Sequence, residues 1–354
     1  MHALTDRLVT FGLGEWTQSV TLDDDDAVSL CAAAPHHGLV ALLGAAVEHG
    51  CVHVSDTART AVRHEWAERM AWCVQLDSVL VAVHGRLAAC GIPVRVLKGS
   101  AVATLDEPDP SWRSYGDVDV LVPPDRLLDA MDALAGIGWH PAVAPTRRWW
   151  AARHAKGVTL GDGSGVQVDL HRLLATGPLG RRVSLSRLFN DGQHFHVGGV
   201  LVTALSLRDR FLHACYHAVL GGTFGPRQVR DVLLLATQLT PDSLSAVERD
   251  GWSPTVVAVA LDRAAASGAV PSAWLQWANT VQRDPTDQAS IGAANASFGA
   301  AARADARSLA RWTSRLGYLA GLGWPSRAHL ASRHLTRLGH LRSLLRRRPR
   351  SRTT

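Results

Sequence analysis

Hydrophobic positions recur at helical spacing through the first ninety residues of the chain. One apolar run follows the acidic stretch 23–26, which would complement the positive end of a helix dipole, and a second run extends from residue 57 to residue 90. The second run ends at Gly91, a common helix C-terminal residue, and Pro93 follows. Its apolar positions are Val62, Trp66, Met70, Cys73, Leu76, Leu80, Val83 and Leu87. The pattern predicts an N-terminal helical region over residues 1–92.

Short strand-like runs replace the helical pattern from residue 93 onward. We predict strands at 94–97, 117–122, 157–160 and 166–171, a strand opening at 138–140, and a strand pair within 193–203. Helices are predicted at 100–105 and 125–136. The glycine-rich stretch 161–165 lies between two predicted strands and opens no helix, so it is typical of a hairpin turn rather than of a phosphate-binding loop.

Helical spacing returns at residue 206 and continues to about residue 345, with Pro241, Pro254, Pro271 and Pro285 separating the helices. We therefore predict four parts: a helical region 1–92, a core 93–205, a helical domain 206–345 and a disordered basic tail 346–354. The expected fold class is α+β, with a small mixed β-sheet core and helices, flanked by N-terminal and C-terminal helical regions.

Composition narrows the class of protein. Apolar residues make up 47% of the 354 positions and charged residues 19%, which excludes global disorder. No apolar run approaches the ~18 residues of a membrane span and the first residues lack a signal-peptide pattern, so a cytoplasmic location is the default expectation. The cysteines, which contain no CxxC pair, are expected to be buried free thiols: Cys31, Cys51, Cys73, Cys90 and Cys215.

The formal net charge of +6 belongs to the C-terminal end of the chain. Residues 331–354 carry eight arginines and no acid, so the rest of the chain has a net charge of −2. The arginine-rich tail leaves two interpretations open, a surface for nucleic acid or acidic lipid and a helix end with a solvated terminus. No nucleic-acid-reading module accompanies it, and nucleic acid is not the expected partner. Only two of the 37 basic residues are lysines, Lys98 and Lys156.

Candidate chemistry lies in the predicted core. Gly99 and Ser100 follow Lys98 at a strand–helix junction, where backbone N–H groups and the helix dipole favour an anion. Asp117 and Asp119 alternate with valines, so both carboxylates are expected on one face of a strand. Paired carboxylates on an apolar strand are costly unless a cation compensates them.

Asp169 lies about fifty residues further on, in a second predicted strand that also carries His171 on the same face. A third carboxylate on a neighbouring strand would complete an oxygen-rich site for Mg²⁺ or Mn²⁺, suited to phosphoryl or nucleotidyl transfer. For His171 we leave three interpretations open: it orients Asp169, it contacts an acceptor, or it is simply polar. His213 and His217 share a helix face and favour helix packing or contact with a nucleotide over a zinc site, which would need a third ligand.

Two segments carry a family resemblance. Residues 94–101, VRVLKGSA, and residues 113–122, RSYGDVDVLV, resemble the LKG-x-A and R-x-x-x-D-[IV]-D-[LV]-L-V boxes of uncharacterised bacterial nucleotidyltransferases (NTP-transferase family 5). This family belongs to the polymerase-beta-type nucleotidyltransferase superfamily. Asp169-Leu170-His171 resembles its D/E-L-H segment, and the spaced histidines and residues 230–232 resemble its later helical segment. The resemblance covers most of residues 25–240.

The resemblance implies roles for particular residues. Gly99 and Ser100 would hold the triphosphate of an NTP, with ATP the expected one, and three acids would hold the metal ions: Asp117, Asp119 and Asp169. Lys98 and Arg113 would contact phosphates or support the site from beside it. The separation of 18 residues between Gly99 and Asp117 is longer than is common in the superfamily. Asp231 is assigned no catalysis and is expected to cap a helix or to pair with Arg230.

The expected function is therefore Mg²⁺-dependent transfer of a nucleoside monophosphate from an NTP to a hydroxyl or phosphate acceptor, with release of pyrophosphate. The acceptor is left open among a small molecule, a peptide natural product and a protein, and tailoring in a biosynthetic cluster is one setting. Two alternatives remain: a catalytically silent nucleotide-binding, antitoxin-like or scaffold protein with the same fold, and an enzyme directed at nucleic acid.

Overall fold

The structure is a computed structural model that describes residues 2–14, 16, 18–27, 38–142, 148–221, 224–245 and 247–296. Its strands are β1 Val20–Thr21, β2 Val52–His53, β3 Arg95–Val96, β4 Val118–Leu121, β5 His140–Pro141, β6 Gly157–Gly161, β7 Gln167–His171, β8 Gln193–Val197 and β9 Val200–Ala204. The α-helices up to the end of the sheet are α1 His2–Val9, α2 Val40–Glu48, α3 Asp56–Ala89, α4 Ser100–Leu105, α5 Leu127–Ala135, α6 Arg148–His154, α7 Gly177–Arg182 and α8 Leu185–Asn190. After the sheet come α9 Leu207–Leu220, α10 Pro226–Ala236, α11 Pro254–Ala264, α12 Ser272–Thr280 and α13 Pro285–Ala296.

A seven-stranded mixed sheet forms the centre of the fold, in the order β5-β6-β7-β4-β3-β9-β8. The central strand β4 runs parallel to β7 and antiparallel to β3, and β3 runs parallel to β9. The strand pairs β6–β7 and β8–β9 are antiparallel hairpins. The predicted α+β class and mixed sheet are confirmed, and β4 is buried along its whole length because it lies in the middle of the sheet.

The long helix α3 joins the sheet to the N-terminal helices. Ser55 caps its N-terminus by accepting a hydrogen bond from the backbone N–H of Ala58, and Gly91 follows its C-terminal end with a left-handed φ of 62°. Near its start, Val62 packs into a core shared with α2. Further along, Leu80 and Leu87 pack against the valines of the sheet. One helix therefore contributes to both hydrophobic cores.

The two hydrophobic cores are built from different parts of the chain. The first lies on the sheet and is built from residues between 76 and 204. The second joins helices from both ends of the described chain, from Leu4 in α1 to Ile291 in α13. Helices on either side of the sheet segment thus share one apolar interior. The boundaries at 92/93 and 205/206 stay predictions.

Most predicted elements occur within a few residues of their expected bounds. The turn between β6 and β7 is the expected hairpin: Gly163 and Gly165 have φ of 89° and 95°, and the Asp162 carboxylate accepts from the backbone N–H of Ser164. One expectation was wrong, because Cys90 is exposed at the end of α3. Cys31 and the tail lie outside the described residues. Among the described helices, none is both long enough and apolar enough to cross a membrane.

Candidate active site

The register of three strands brings the candidate acids together. In the parallel β4–β7 pair, Asp119 and Asp169 are direct partners, and in the antiparallel β6–β7 pair Thr159 lies opposite Asp169. Cross-strand partners on one face have Cβ atoms about 5 Å apart. The expectation that Asp169 lies on a strand next to the Asp-x-Asp strand therefore holds. Asp117 lies one residue before β4 begins.

The buried carboxylate of Asp119 is bound on both oxygens. The Lys98 ammonium lies 2.9 Å from Oδ2, and His171 Nε2 lies 2.8 Å from Oδ1. Burial would raise the pKa of Asp119, but Lys98 and His171 outweigh it and hold the pKa below its usual range. Burial would lower the pKa of the Lys98 ammonium, but the charge of Asp119 outweighs this effect and raises that pKa. Asp119 is therefore ionised in the folded protein.

Asp169, Asp119 and His171 form a potential ligand group for a cation. Each offers one ligand atom, and these atoms lie within 4.8 Å of one another. Thr159 donates its hydroxyl to Asp169 Oδ1 at 2.5 Å, which orients that carboxylate. Two carboxylates and an imidazole suit a divalent cation, and the buried Nδ1 of His171 has no hydrogen-bond partner among the described residues. The residues present therefore fit a metal ion.

Asp117 is not a member of this ligand group, but its charge belongs to the same site. Burial, followed by the charge of Asp119, raises the pKa of Asp117, and the nearby ammonium of Lys98 opposes this shift. The side chain remains half-buried, so it is accessible to a ligand. Asp117 and Asp119 consequently differ: the pKa of the first is raised to about 6, whereas the second is fully ionised.

Gly99 lies at the strand–helix junction with a positive φ. Gly99 has φ 50°, and a Cβ there would lie 3.3 Å from the ring of Tyr115. The Tyr115 hydroxyl donates to Asp77 of α3 at 2.7 Å. Ser100 is buried next to Asp77 and Tyr115. The junction is thus packed tightly on the segment that leads into Asp117.

Three buried ion pairs anchor the Pro- and Asp-rich segment that leads into β4. Arg113 donates to both carboxylate oxygens of Asp231, with Nη2 3.0 Å from Oδ2. The other two pairs are Asp106–Arg210 at 2.7 Å and Glu107–Arg230 at 2.6 Å. The guanidinium of Arg113 is therefore paired with Asp231 of α10. This pairing favours a role in which Arg113 supports the site from beside it over a direct contact with phosphate. Asp231 pairs with Arg113 and not with Arg230, whose guanidinium pairs with Glu107.

Some functional candidates were missed by the sequence analysis. Lys156 directly precedes β6, and its charge acts on Lys98 and on all three acids. In the sequence, the only feature that marked it was that the chain contains just two lysines. Arg227 of α10 lies near Asp117 and Arg113, and no signal in the sequence marked it. His171 contacts Asp119, a partner that was not among the interpretations left open for it.

His213 and His217 are on α9, and the charges of Lys98 and Lys156 reach both rings. Burial, with a further contribution from Lys98, lowers the pKa of His217 to about 4 and that of His213 well below its usual value. Both imidazoles are therefore neutral near pH 7. The two histidines that the sequence placed on one helix face have ring centroids 6.4 Å apart.

A family model places the protein among known sequences. By its family and its mixed sheet, the chain is of the nucleotidyltransferase class. Residues 23–250 match NTP-transferase family 5, described as "uncharacterised nucleotidyltransferase", and the chain belongs to this family. No curated protein matches the chain.

Two solved structures resemble part of the chain. The antibiotic-resistance factor ANT(2'')-Ia is 14% identical, with a TM-score of 0.35 over 54% of this chain and 93% of its own. An antigenic nucleotidyltransferase-like protein from Paracoccidioides brasiliensis is 12% identical, with a TM-score of 0.34 over 59% of this chain and 94% of its own.

Proposed function

We propose that the protein is a divalent-metal-dependent nucleotidyltransferase that moves a nucleoside monophosphate from an NTP to a hydroxyl or phosphate acceptor and releases pyrophosphate. The observation that carries this proposal is the pairing of Asp119 with Asp169 across β4 and β7, with ligand atoms within 4.8 Å of one another. Family membership supports the same class of reaction. ATP is the proposed donor, and Mg²⁺ or Mn²⁺ the proposed ion.

In this proposal Asp119 and Asp169 hold the metal, and the half-buried Asp117 joins them when the nucleotide enters. A bound divalent ion would supply charge stabilisation at the reacting phosphate and at its leaving group. Asp119 is already ionised through Lys98 and His171, so it needs no deprotonation before binding a cation. Gly99 and Ser100 are the proposed contacts of the triphosphate, at the junction before α4.

The chain's own residues also hold the reacting groups in place. Thr159 fixes one oxygen of Asp169, which leaves the other oxygen for a ligand. The ion pair of Arg113 with Asp231 fixes the approach to β4 and therefore the position of Asp117. We propose that the core 93–205 supplies this chemistry and that the helical parts 1–92 and 206–345 shape the acceptor cleft.

The proposal is tested with labelled NTPs and Mg²⁺ or Mn²⁺, in the presence and absence of cell extract. Asp119→Asn and Asp169→Asn should each lower the rate of labelled product formation by about 1000-fold, because a metal ion contributes several kcal/mol to the transition state and 1.4 kcal/mol is a factor of ten. Asp162→Asn, in the exposed β6–β7 turn, is the matched control and should keep the wild-type rate.

Two results would contradict the enzyme proposal. The first is the absence of both NTP binding and labelled product from the wild-type protein. The second is full activity of the variant that carries Asp117→Asn together with Asp119→Asn. NTP binding without any product in every extract would instead favour the silent nucleotide-binding protein with the same fold.

A further inference from the structure

A small cavity lies between the start of α2, the helix α10 and the segment 107–114 that leads into β4. Its volume is about 10 Å³, which is the scale of a single water molecule or a monatomic ion. Of the three acids of the candidate active site, none is among the described residues that line this cavity. Its wall contains Gly38 and Glu107 together with three arginines, Arg113, Arg227 and Arg230.

Two of these three arginines are each balanced by a carboxylate. Arg230 donates to both oxygens of Glu107, at 3.3 and 2.6 Å, and its remaining nitrogen donates to backbone carbonyls near the N-terminus. Arg113 donates to Asp231 through Nη1 and Nη2. Arg230 therefore has no nitrogen without a hydrogen bond, whereas Arg113 keeps one, its Nε.

Two polar groups of the cavity wall have no partner. The Nε of Arg113 is buried and makes no hydrogen bond among the described residues, and only 6% of this side chain is exposed. Arg227 is half-buried, and its guanidinium makes no hydrogen bond or ion pair with any residue that the structure describes. A buried donor without a protein partner points to an ordered water molecule or ion at that position.

The guanidinium of Arg227 lies directly against the backbone before α2. A Cβ at Gly38, which has φ 68°, would lie 2.2 Å from Nε and 2.3 Å from Nη2 of Arg227, so the absence of a side chain makes this approach possible. Burial and the like charge of Arg113 lower the pKa of Arg227, and the charges of Asp231 and Asp117 oppose this shift without a bond to it. The fold thus holds a guanidinium at the cavity although no carboxylate pairs with it.

We propose that this cavity binds a monatomic anion of the chloride class, held by Arg113 Nε and the guanidinium of Arg227. Three guanidinium groups and two bonded carboxylates leave one guanidinium without a counter-charge, and a neutral water molecule would not supply it. Carboxylate and phosphate ligands are larger than the cavity. The anion links α10 to the segment that leads into β4. The inference goes beyond the proposed function, because this site needs neither nucleotide nor metal.

Chloride binding can be measured on the full chain by the ³⁵Cl NMR linewidth, which increases when the ion exchanges with a protein site. Chloride replaces gluconate, which is too large for the cavity, at constant ionic strength and without metal. We expect an excess linewidth that saturates with chloride and that bromide displaces. The absence of a saturable, bromide-sensitive component would overturn the proposal. Displacement of this component by ATP would also overturn it, because the cavity would then belong to the nucleotide site.

Variants separate the cavity from the other basic residues of the chain. Arg227→Gln should weaken chloride binding about tenfold or more, as expected for loss of hydrogen bonds to a charged group. Arg153→Gln is the matched control, because it removes an exposed positive charge outside the cavity and should keep the wild-type affinity. Equal affinities of Arg227→Gln and Arg153→Gln would contradict a site at Arg227.

Thermal unfolding gives a second measurement, since a ligand that binds only the folded state raises the melting temperature. Chloride in place of gluconate should raise the melting temperature of the wild type and leave that of Arg227→Gln unchanged. Gly38→Ala keeps every charge but drives a Cβ into the guanidinium, so it should also lose the rise. Gly163→Ala, with φ 89° and no neighbour within 4 Å, controls for backbone strain and should keep it. A full chloride-dependent rise in Arg227→Gln would contradict the proposal.

Discussion

His171 Nε2 lies 2.8 Å from Asp119 Oδ1, across the parallel pair of strands β4 and β7. Burial and the charge of Lys156 lower the pKa of His171, so the neutral ring donates from Nε2 and leaves Nδ1 without a partner among the described residues. The imidazole therefore orients one acid of the site from the strand that carries another. The sequence left the role of His171 open, and the structure makes it part of the acid cluster.

The first prediction concerns this hydrogen bond. His171→Leu should lower the affinity for Mn²⁺ by about 10- to 100-fold, since loss of a group that orients a ligating carboxylate typically has this effect. His171→Gln keeps an N–H donor at a similar reach and should recover part of the affinity. Mn²⁺ binding followed by electron paramagnetic resonance measures both. Equal affinities of the leucine variant and the wild type would exclude a role for His171 in the site.

The second prediction concerns the Arg113–Asp231 pair, both members of which are buried. Asp231→Leu should lower the free energy of unfolding by about 3–5 kcal/mol, because the guanidinium is left without its counter-charge. The double variant Arg113→Met with Asp231→Leu should regain most of this loss, since a buried pair can be replaced by apolar groups at small cost. Urea denaturation measures the stabilities.

The same double variant separates the two roles left open for Arg113. If Arg113 supports the site only through Asp231, the stable double variant should keep the wild-type KM for the NTP. If the guanidinium contacts phosphates, KM should rise in the double variant even though stability is restored. Arg148→Met, which removes an exposed partner of Asp132, is a control for general loss of an arginine.

The third prediction tests the junction before α4. Gly99→Ala places a Cβ at φ 50° and 3.3 Å from the Tyr115 ring, so it should both destabilise the fold by about 1–2 kcal/mol and raise KM for the NTP. Gly163→Ala has φ 89° and no neighbour within 4 Å of its Cβ, so it introduces backbone strain without contact. We expect the control to lose stability and keep its KM. A raised KM in both variants would argue against a local role for Gly99.

The sequence predicted the sheet elements well because their patterns are local. The alternation around Asp119 and the glycine-rich turn at 161–165 both follow from single segments of the chain. The pairing of β4 with β7 was expected from two acids in similar strands, and the register places them side by side. The alternation and the turn need no knowledge of distant residues, whereas the register of β4 with β7 is seen only in the structure.

What the sequence did not reveal depends on contacts between distant segments. The partner of Arg113 is 118 positions away on α10, where no local pattern marks Asp231 as its counter-charge. The same holds for Lys156, whose charge interacts with that of Asp119 although the two residues are far apart in the sequence. Likewise, the helices before and after the sheet segment share one hydrophobic core because their apolar faces pack against each other.

The last prediction concerns the stability of the folded protein in acid. Burial lowers the pKa of His217 to about 4, whereas the unfolded chain has the ordinary value near 6.5. Between these values the unfolded state binds more protons than the folded state, so the contribution of His217 is fully present above pH 6.5 and is lost as the pH falls to 4. At 1.36 kcal/mol per pKa unit, the loss from this group is about 3 kcal/mol at most.

Burial raises the pKa of Asp77 and Asp106, and the protonation of these carboxylates acts on stability in the opposite direction. Comparing variants separates the contribution of His217 to the pH dependence of stability from the contributions of the other groups. His217→Gln should flatten the fall of the unfolding free energy between pH 6.5 and 4, measured by urea denaturation at half-unit steps, and the exposed His53→Gln should leave the slope as in the wild type. If His217→Gln leaves the slope unchanged, the ring has the same pKa in the folded and unfolded states, and burial does not lower the pKa of His217.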